Sequence, residues 1–500
     1  MYSRSIVVPP LTLGEVCRRR NIEQATGRLR VEEAMLWILL IWFLVLDAIQ
    51  SQSIVKRLPG FSGELPFRLE TGYVGVGQFD DVQLFYYFIE SERSPRDDPL
   101  VLWLTGGPGC SSLSGLLYEI GPLKFDYVKS RGGNKPTLAL NPYSWTKVAN
   151  IIFLDQPVGT GFSYSTTQEG YYVGDYSSTA ETYQFLVKWL RNVHPEFLPN
   201  PLYIAGDSYS GVTVPMVVQL VLDGNRAGHL PQLNLKGYAL GNPLTDEIGD
   251  LNSRVTFAHR LAVISDQLYK ALKKNCKGEY VNANLTNVAC ALALRAYNMS
   301  VAKLDSANIL EPNCRFMSPK PNIFQWSRNV VGEDLDLIIE RMSSQVPPEL
   351  WCRDDNYILS YIWANDKAVQ RALHVREGTK DEWIRCNETS TYAYEVTNVV
   401  GYHQNFTRTQ LQALVYSGDH DMVVPYVGTE AWIQRLNMSL TTEWEPWLLE
   451  GQVAGYTMKY THDSHVLTYT TVKGAGHTAP EYKPAQCLAM VDRWFAYYPL

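Results

Sequence analysis

Neither a C-x-x-C pair nor an H-E-x-x-H stretch occurs in this sequence. Its cysteines are few, eight in 500 residues, at positions 17, 110, 276, 290, 314, 352, 386 and 487. A zinc site needs clustered thiolates or paired helical histidines, so no metal is expected, and no other cofactor signature is present. Positive charge is not in excess: the formal net charge is −7. Phosphate binding requires a basic face, so a nucleic-acid partner is excluded. No internal repeat or low-complexity tract interrupts the chain. The apolar run from Met35 to Leu46, MLWILLIWFLVL, has twelve residues, short of the about 20 that span a bilayer, so no stable membrane span is expected. Arg18, Arg19, Arg20, Arg28 and Arg30 precede the run and Asp47 to Ser51 follow it. That order predicts a signal-peptide core within a presequence over 1–51, cleaved near Ser51. The 34 residues before Met35 are long for such a leader, so translation is expected to start at Met35.

Aromatic residues are abundant, with 31 Tyr, 16 Phe and 13 Trp, enough for a deep core and apolar pockets. Five N-x-S/T sequons, at Asn284, Asn298, Asn387, Asn405 and Asn437, predict a glycosylated surface. In an oxidising compartment the cysteines are expected to form disulfides rather than bind metal. Once Cys17 leaves with the presequence, seven remain, so at least one stays unpaired.

Apolar strand-like runs recur, each ending in a glycine-rich or acidic turn. They are Pro99–Leu104, Ala149–Leu154, Leu202–Ala205, Leu235–Leu240 and Leu411–Tyr416, with helical patterning between them, as in Thr179–Val193. Strand, loop and helix in alternation predict an α/β fold, a mostly parallel mixed sheet with helices on both faces. Function gathers at the carboxyl ends of such strands. From about Asp246 the chain turns richer in Asn, Lys and Ser and loses its buried strands. We expect core over 52–245, an inserted cap over 246–355, and core again over 356–500.

Gly206-Asp207-Ser208-Tyr209-Ser210-Gly211 follows one strand and opens a helical pattern. A tight turn of small residues there would lift the Ser208 hydroxyl above the sheet as a nucleophile. Such a serine needs a histidine to take its proton and an acid behind the histidine, in the chain order Ser, acid, His. Downstream lie Ser417-Gly418-Asp419-His420-Asp421, with two candidate acids, and Lys473-Gly474-Ala475-Gly476-His477-Thr478. A histidine in a glycine loop has little packing reason to be there, so His477 is the expected base; His462 and His465 are expected to be filler. Thr105-Gly106-Gly107-Pro108-Gly109-Cys110-Ser111-Ser112 follows another strand. Its backbone N–H groups, with that of Tyr209, are expected to bind an oxyanion.

Taken together, LWLTGGPGCSS (102–112), DQPVGTGFS (155–163), GDSYSG (206–211) and Gly476-His477-Thr478 resemble a serine carboxypeptidase-like protein of the α/β-hydrolase type, from about Leu58 to the end. The resemblance implies the triad Ser208, Asp421 and His477, choosing Asp421 over Asp419, and an oxyanion hole from the N–H groups of Gly107 and Tyr209. It also implies the bridges Cys110–Cys386, Cys276–Cys290 and Cys314–Cys352, leaving Cys487 free.

That family holds peptidases and acyltransferases. Its peptidases grip a terminal carboxylate with an Asn before the Gly-Gly, a Glu before the Ser and a second Glu. Here Thr105 precedes Gly106, Asp207 precedes Ser208, and Glu119 is the second acid. A hydroxyl replaces an amide donor and one carboxyl is a methylene shorter, so a pocket built for hydrogen bonds is re-spaced. These changes are similar to the plant branch that moves hydroxycinnamoyl, galloyl or related groups from 1-O-β-glucose esters to alcohols. The expected partners are therefore a small-molecule acyl-glucose donor and an alcohol acceptor, in the vacuole or outside the cell. Arg385, next to Cys386, is expected near the site, where its guanidinium could hold an acceptor carboxylate or a donor hydroxyl. The alternatives are a carboxypeptidase and a non-catalytic relative that binds ligands or glycans.

Overall fold

The computed structural model describes residues 52–130, 135–313, 353–387 and 392–500; the presequence and the Cys314–Cys352 pairing lie outside them. Fourteen strands occur among the described residues: β1 (Gln52–Val55), β2 (Leu69–Val76), β3 (Val82–Ile89), β4 (Leu100–Leu104), β5 (Leu123–Phe125), β6 (Leu138–Leu140), β7 (Asn150–Leu154), β8 (Tyr164–Ser165), β9 (Leu202–Asp207), β10 (Leu235–Gly241), β11 (Gln412–Gly418), β12 (Ser439–Leu449), β13 (Gln452–His462) and β14 (His465–Val472). The main sheet runs β1-β2-β3-β7-β4-β9-β10-β11-β14-β13-β12. Its centre, from β7 to β14, is parallel and both margins are antiparallel. This is the mixed, mostly parallel sheet of an α/β hydrolase.

The central strands read as unbroken apolar runs because both faces are covered. Alternate side chains supply two cores. Val101, Trp103, Ile151, Phe153 and Tyr203 pack on one face with Trp363, Met490 and Trp494. Leu100, Leu102, Leu104, Ile152, Leu202 and Ile204 pack on the other with Phe185, Val217, Val221 and Trp432. The helices concerned are α1 (Asp175–Lys188), α2 (Ser210–Arg226), α6 (Tyr357–Asn365), α9 (Tyr426–Arg435) and α11 (Pro484–Phe495). Within the expected cap, α3 (Glu247–Arg260), α4 (Asp266–Cys276) and α5 (Val288–Val301) are helical, and among the described residues this stretch adds no strand to the sheet. Helices α7 (Lys367–Ala372), α8 (Val400–Phe406) and α10 (Ala479–Tyr482) complete the described set.

Two disulfides close among the described residues, Cys110–Cys386 and Cys276–Cys290, and Cys487 is a buried free thiol. Asn284, Asn298, Asn405 and Asn437 are exposed and Asn387 is half-buried. No helix among the described residues is long and apolar enough to cross a membrane.

One buried cluster ties stability to pH. His194 contacts Glu70 through Nε2 at 3.0 Å and Glu196 through Nδ1 at 2.8 Å, and Tyr86 donates its hydroxyl to the same Glu70 oxygen at 2.7 Å. Burial disfavours the charged imidazole, but the two carboxylates outweigh it and hold its pKa above 6.5. A pKa raised by folding adds stability that is complete below the unfolded value and disappears as pH climbs through the folded one. His194→Gln is therefore expected to lower the melting temperature more at about pH 6 than at about pH 8.5. Circular dichroism melts check this; an equal loss at both pH values contradicts it.

Candidate active site

The candidate residues gather at the carboxyl ends of β4, β9, β10, β11 and β14. Ser208 occupies the turn between β9 and α2 with φ +56°, a left-handed conformation that costs a non-glycine residue energy and persists only where the surroundings hold it. Here the hold is visible: the Ser208 N–H donates to the Gly241 carbonyl at 2.9 Å, and its own carbonyl accepts from Gly211 at 3.0 Å and Leu244 at 2.9 Å. The turn tolerates no bulk beside it. A Cβ on Gly106 would lie 2.6 Å from the Ser208 Cβ and 2.7 Å from the Asp207 carbonyl oxygen.

His477 Nε2 lies 2.8 Å from the Ser208 Oγ, and its Nδ1 lies 2.8 Å from Asp421 Oδ2. The structure thus brings together three residues spread over 270 positions. Asp421 is fully buried and accepts from the Val423 N–H at 2.7 Å, the Val424 N–H at 3.2 Å and the Asn242 amide at 2.8 Å. The His477 N–H donates to the Ala307 carbonyl at 2.7 Å, so the 246–355 segment helps seat the imidazole. Burial works against a charge on His477, yet the Asp421 carboxylate overrides it and keeps the pKa above 6.5. Asp419 is elsewhere, accepting from the Gly474 N–H at 2.7 Å and contacting His420 Nδ1 at 2.6 Å. His462 and His465 belong to the β13–β14 turn.

The 105–112 loop wraps Ser208. Among the described residues, neither the Gly107 nor the Tyr209 N–H meets an acceptor within the protein. Cys110 and Cys386 pair through backbone as well as sulfur, and the flanking bonds run Ser111 N to Arg385 O at 2.7 Å and Asn387 N to Gly109 O at 2.8 Å. Asp155, wholly buried, accepts from Ser111 Oγ at 2.7 Å, Ser112 N at 2.8 Å and Phe162 N at 3.0 Å. It clamps the loop to DQPVGTGFS, and a Cβ on Gly161 would collide with its carboxylate.

Thr105 is buried, with its oxygen accepting from the Trp103 indole at 3.2 Å. Asp207 Oδ1 accepts from the Gly106 N–H at 3.1 Å, and Asp207 and Glu119 are hydrogen-bonded to each other. Burial raises both pKa values; Asp207 and Glu481 raise that of Glu119 further, and the Arg385 charge opposes them. Two buried carboxyls in contact oppose each other's ionisation, and Glu119 is the one pushed further toward its protonated form. Arg385 is half-buried and stacks 4.0 Å over the Tyr357 ring. A cation on an aromatic face keeps its N–H groups free for an anion or a hydroxyl.

Three supporting residues escape a reading of the sequence. Asn242 joins Asp421 to the Gly418 N–H, the latter at 3.0 Å. Asp155 stands in DQPVGTGFS and Asn242 in Gly241-Asn242-Pro243, motifs that assign neither an individual role. Asp175 accepts from the Tyr209 and Tyr392 hydroxyls, each at 2.8 Å, and from the N–H groups of Glu395 and Val396 at 2.7 and 2.9 Å. The only local signal is an Asn or Asp beside a strand or helix end; the partners come from distant segments.

Comparison with known proteins follows the geometry. The family model described as serine carboxypeptidase matches residues 59–497. Serine carboxypeptidase-like 2 of Arabidopsis thaliana is 45 % identical over 472 residues, covering 94 % of this chain and 98 % of that protein. Serine carboxypeptidase-like 19 of the same plant is 44 % identical over 467 residues, covering 92 % and 98 %. Among solved structures, a prohormone-processing carboxypeptidase from Saccharomyces cerevisiae superposes with a TM-score of 0.67 at 19 % identity, covering 90 % of this chain and 96 % of the other.

Proposed function

The chain belongs to the serine carboxypeptidase family, and from that premise we propose that it is an acyltransferase, moving a hydroxycinnamoyl, galloyl or similar group from a 1-O-β-glucose ester to an alcohol. One observation carries the choice. Where the family's peptidases place an Asn amide and two Glu carboxyls around a terminal carboxylate, this pocket has the Thr105 hydroxyl and the shorter Asp207 beside Glu119. The lost amide donor and the re-spaced carboxyl pair fit a terminal carboxylate poorly and leave groups that can hydrogen-bond sugar hydroxyls.

In this reading Ser208 Oγ attacks the ester carbonyl while His477 Nε2 takes its proton. The oxyanion accepts from the Gly107 and Tyr209 N–H groups. Glucose leaves with the proton from His477, the Ser208 acyl ester remains, and glucose makes way for the acceptor. The acceptor hydroxyl gives its proton to His477 and attacks the ester, and Ser208 recovers the proton as the product departs. Residues 246–355 cap the site, 1–51 are removed, and the sequons carry glycans. The two bridges suit a chain that folds in an oxidising compartment, with the vacuole or the cell exterior as destination.

A second reading, a carboxypeptidase, is favoured by the same pair at acid pH, where a retained proton on Glu119 can be donated to a terminal carboxylate. The deciding experiment incubates pure protein with a panel of acyl-glucoses, alcohols and blocked peptides and identifies products by mass. Ester products support transfer, and shortened peptides without esters support the peptidase. A fluorophosphonate that leaves Ser208 unlabelled would support a non-catalytic binder.

Arg385 is assigned to the acceptor carboxylate or a donor hydroxyl. Arg385→Ala is expected to raise KM for that substrate about 10-fold, the loss of one charge-assisted bond of about 1.4 kcal/mol, with kcat little changed. Unchanged kinetics for every donor and acceptor would remove Arg385 from the site.

A further inference from the structure

A cavity of about 910 Å³ opens among the helices of the 246–355 segment, lined by Arg254 of α3, Leu294 and Tyr297 of α5, Tyr280 between them, and the exposed Val281 and Arg295. None of the triad, the oxyanion donors, Glu119, Asp207 or Arg385 lines it. Its volume falls in the range of small-molecule sites, and its surface is mainly apolar with a few polar groups, as such sites are.

The decisive feature is Arg254. The side chain is half-buried and makes no ion pair with any described residue. Its Nε and Nη2 both donate to the Val423 carbonyl, at 3.1 and 2.6 Å, which leaves Nη1 uncommitted. The nearest candidate counter-charge on its own helix, Asp250, is committed to the Thr245 and Asp246 N–H groups at 2.8 and 3.0 Å. Burial also pushes the Asp250 carboxyl up to about 7, so it is a weak anion at neutral pH. A half-buried charge with no ion-pair partner is costly, and Asp421 and Asp250 act on the guanidinium only from beyond contact. Here the cost is relieved if an anion enters from the cavity. The two tyrosines supply flat apolar faces for the body of such a ligand.

We propose that this cavity is a second, non-catalytic site for an aromatic carboxylate, its carboxylate on Arg254 and its ring against Tyr280 and Tyr297. The site has a route to the triad. The Val423 carbonyl holds Arg254, and the Val423 N–H donates to Asp421 at 2.7 Å. A carboxylate that draws on the guanidinium loosens the carbonyl side of the same residue, so occupancy is read at Asp421 and changes turnover without blocking Ser208.

The test uses the full glycosylated chain and 2-naphthoate as probe, with binding followed by titration calorimetry. One site is expected, with affinity reduced at least 10-fold in Arg254→Gln. Because Arg254 also supports Val423, a second variant, Val281→Glu, places a like charge in the lining outside every sequon and leaves the Val423 bonds alone; it too is expected to weaken binding at least 10-fold. The neutral 2-naphthalenemethanol is expected to bind wild type no better than 2-naphthoate binds Arg254→Gln. Equal 2-naphthoate affinity in wild type and Val281→Glu overturns the proposal, as does strict competition between 2-naphthoate and a fluorophosphonate for Ser208.

Discussion

Replacing Asp421 by Asn is expected to cut kcat about 10⁴-fold, the scale seen when a triad acid loses its charge but keeps its shape. The position explains the size. The Asp421 carboxylate receives His477 Nδ1, the Val423 and Val424 N–H groups and the Asn242 amide, so every neighbour is a donor. An amide must turn an N–H₂ group toward one of them. Facing His477, it asks Nδ1 to accept, which leaves Nε2 protonated and unable to take the Ser208 proton. The pH profile moves as well, and its sign is fixed. His477 has its pKa above 6.5 because Asp421 outweighs burial. With the charge removed, burial, the largest influence, and the Arg254 charge lower it, against the smaller upward pull of Asp207. The acid limb of kcat/KM, where the base gains its proton, is expected above pH 6.5 in wild type and below it in the residual activity of the variant. A limb that stays in place would mean that another group controls it.

The second large effect needs a single methyl group. Gly106→Ala would set a Cβ 2.6 Å from the Ser208 Cβ, 2.7 Å from the Asp207 carbonyl oxygen and 2.9 Å from the Tyr209 nitrogen. Two of those three atoms are backbone and cannot rotate away. The loop must retreat and carry Gly107 with it, so one oxyanion donor leaves its place while the other is pushed. Loss of one such donor costs about 10²–10³-fold in kcat, and that loss is expected here with the fold retained. Gly401→Ala is the control, since a Cβ there meets nothing within 4 Å. Steady-state kinetics and melting temperatures on both variants check this. Full activity in Gly106→Ala would show that the loop has slack the packing does not suggest.

The strands that carry the site were legible because each is a buried apolar run cut off by glycine or an acid. PLVLWL, ANIIFL and LQALVY need no partner to be recognised, and the structure draws them within a residue or two of those bounds. The nucleophile turn was legible for a local reason too: only small residues fit around a serine at φ +56°. What stayed hidden depends on which strands are neighbours. Asp419 and Asp421 end the same strand two residues apart, and the turn after β11 sends one to Gly474 and the other to His477. Residue type cannot tell them apart; family resemblance could. Asn242 reaches Asp421 only because β10 pairs with β11, and Asp155 reaches Ser111 across 44 residues. The long antiparallel pair β12–β13 was missed because much of it is exposed and leaves no apolar run to read.

The central claim is that Ser208, activated by His477 and Asp421, carries the transferred acyl group as an ester. Its most direct test is intact-protein mass spectrometry after a brief exposure to a 1-O-acyl-glucose and an acid quench, followed by peptide mapping. The account predicts a mass gain of one acyl group on the Ser208 peptide, absent in Ser208→Ala and discharged as a new ester when an alcohol acceptor is added. An acyl-glucose panel that yields acyl esters while Ser208 stays unmodified, or with Ser208→Ala fully active, would contradict it.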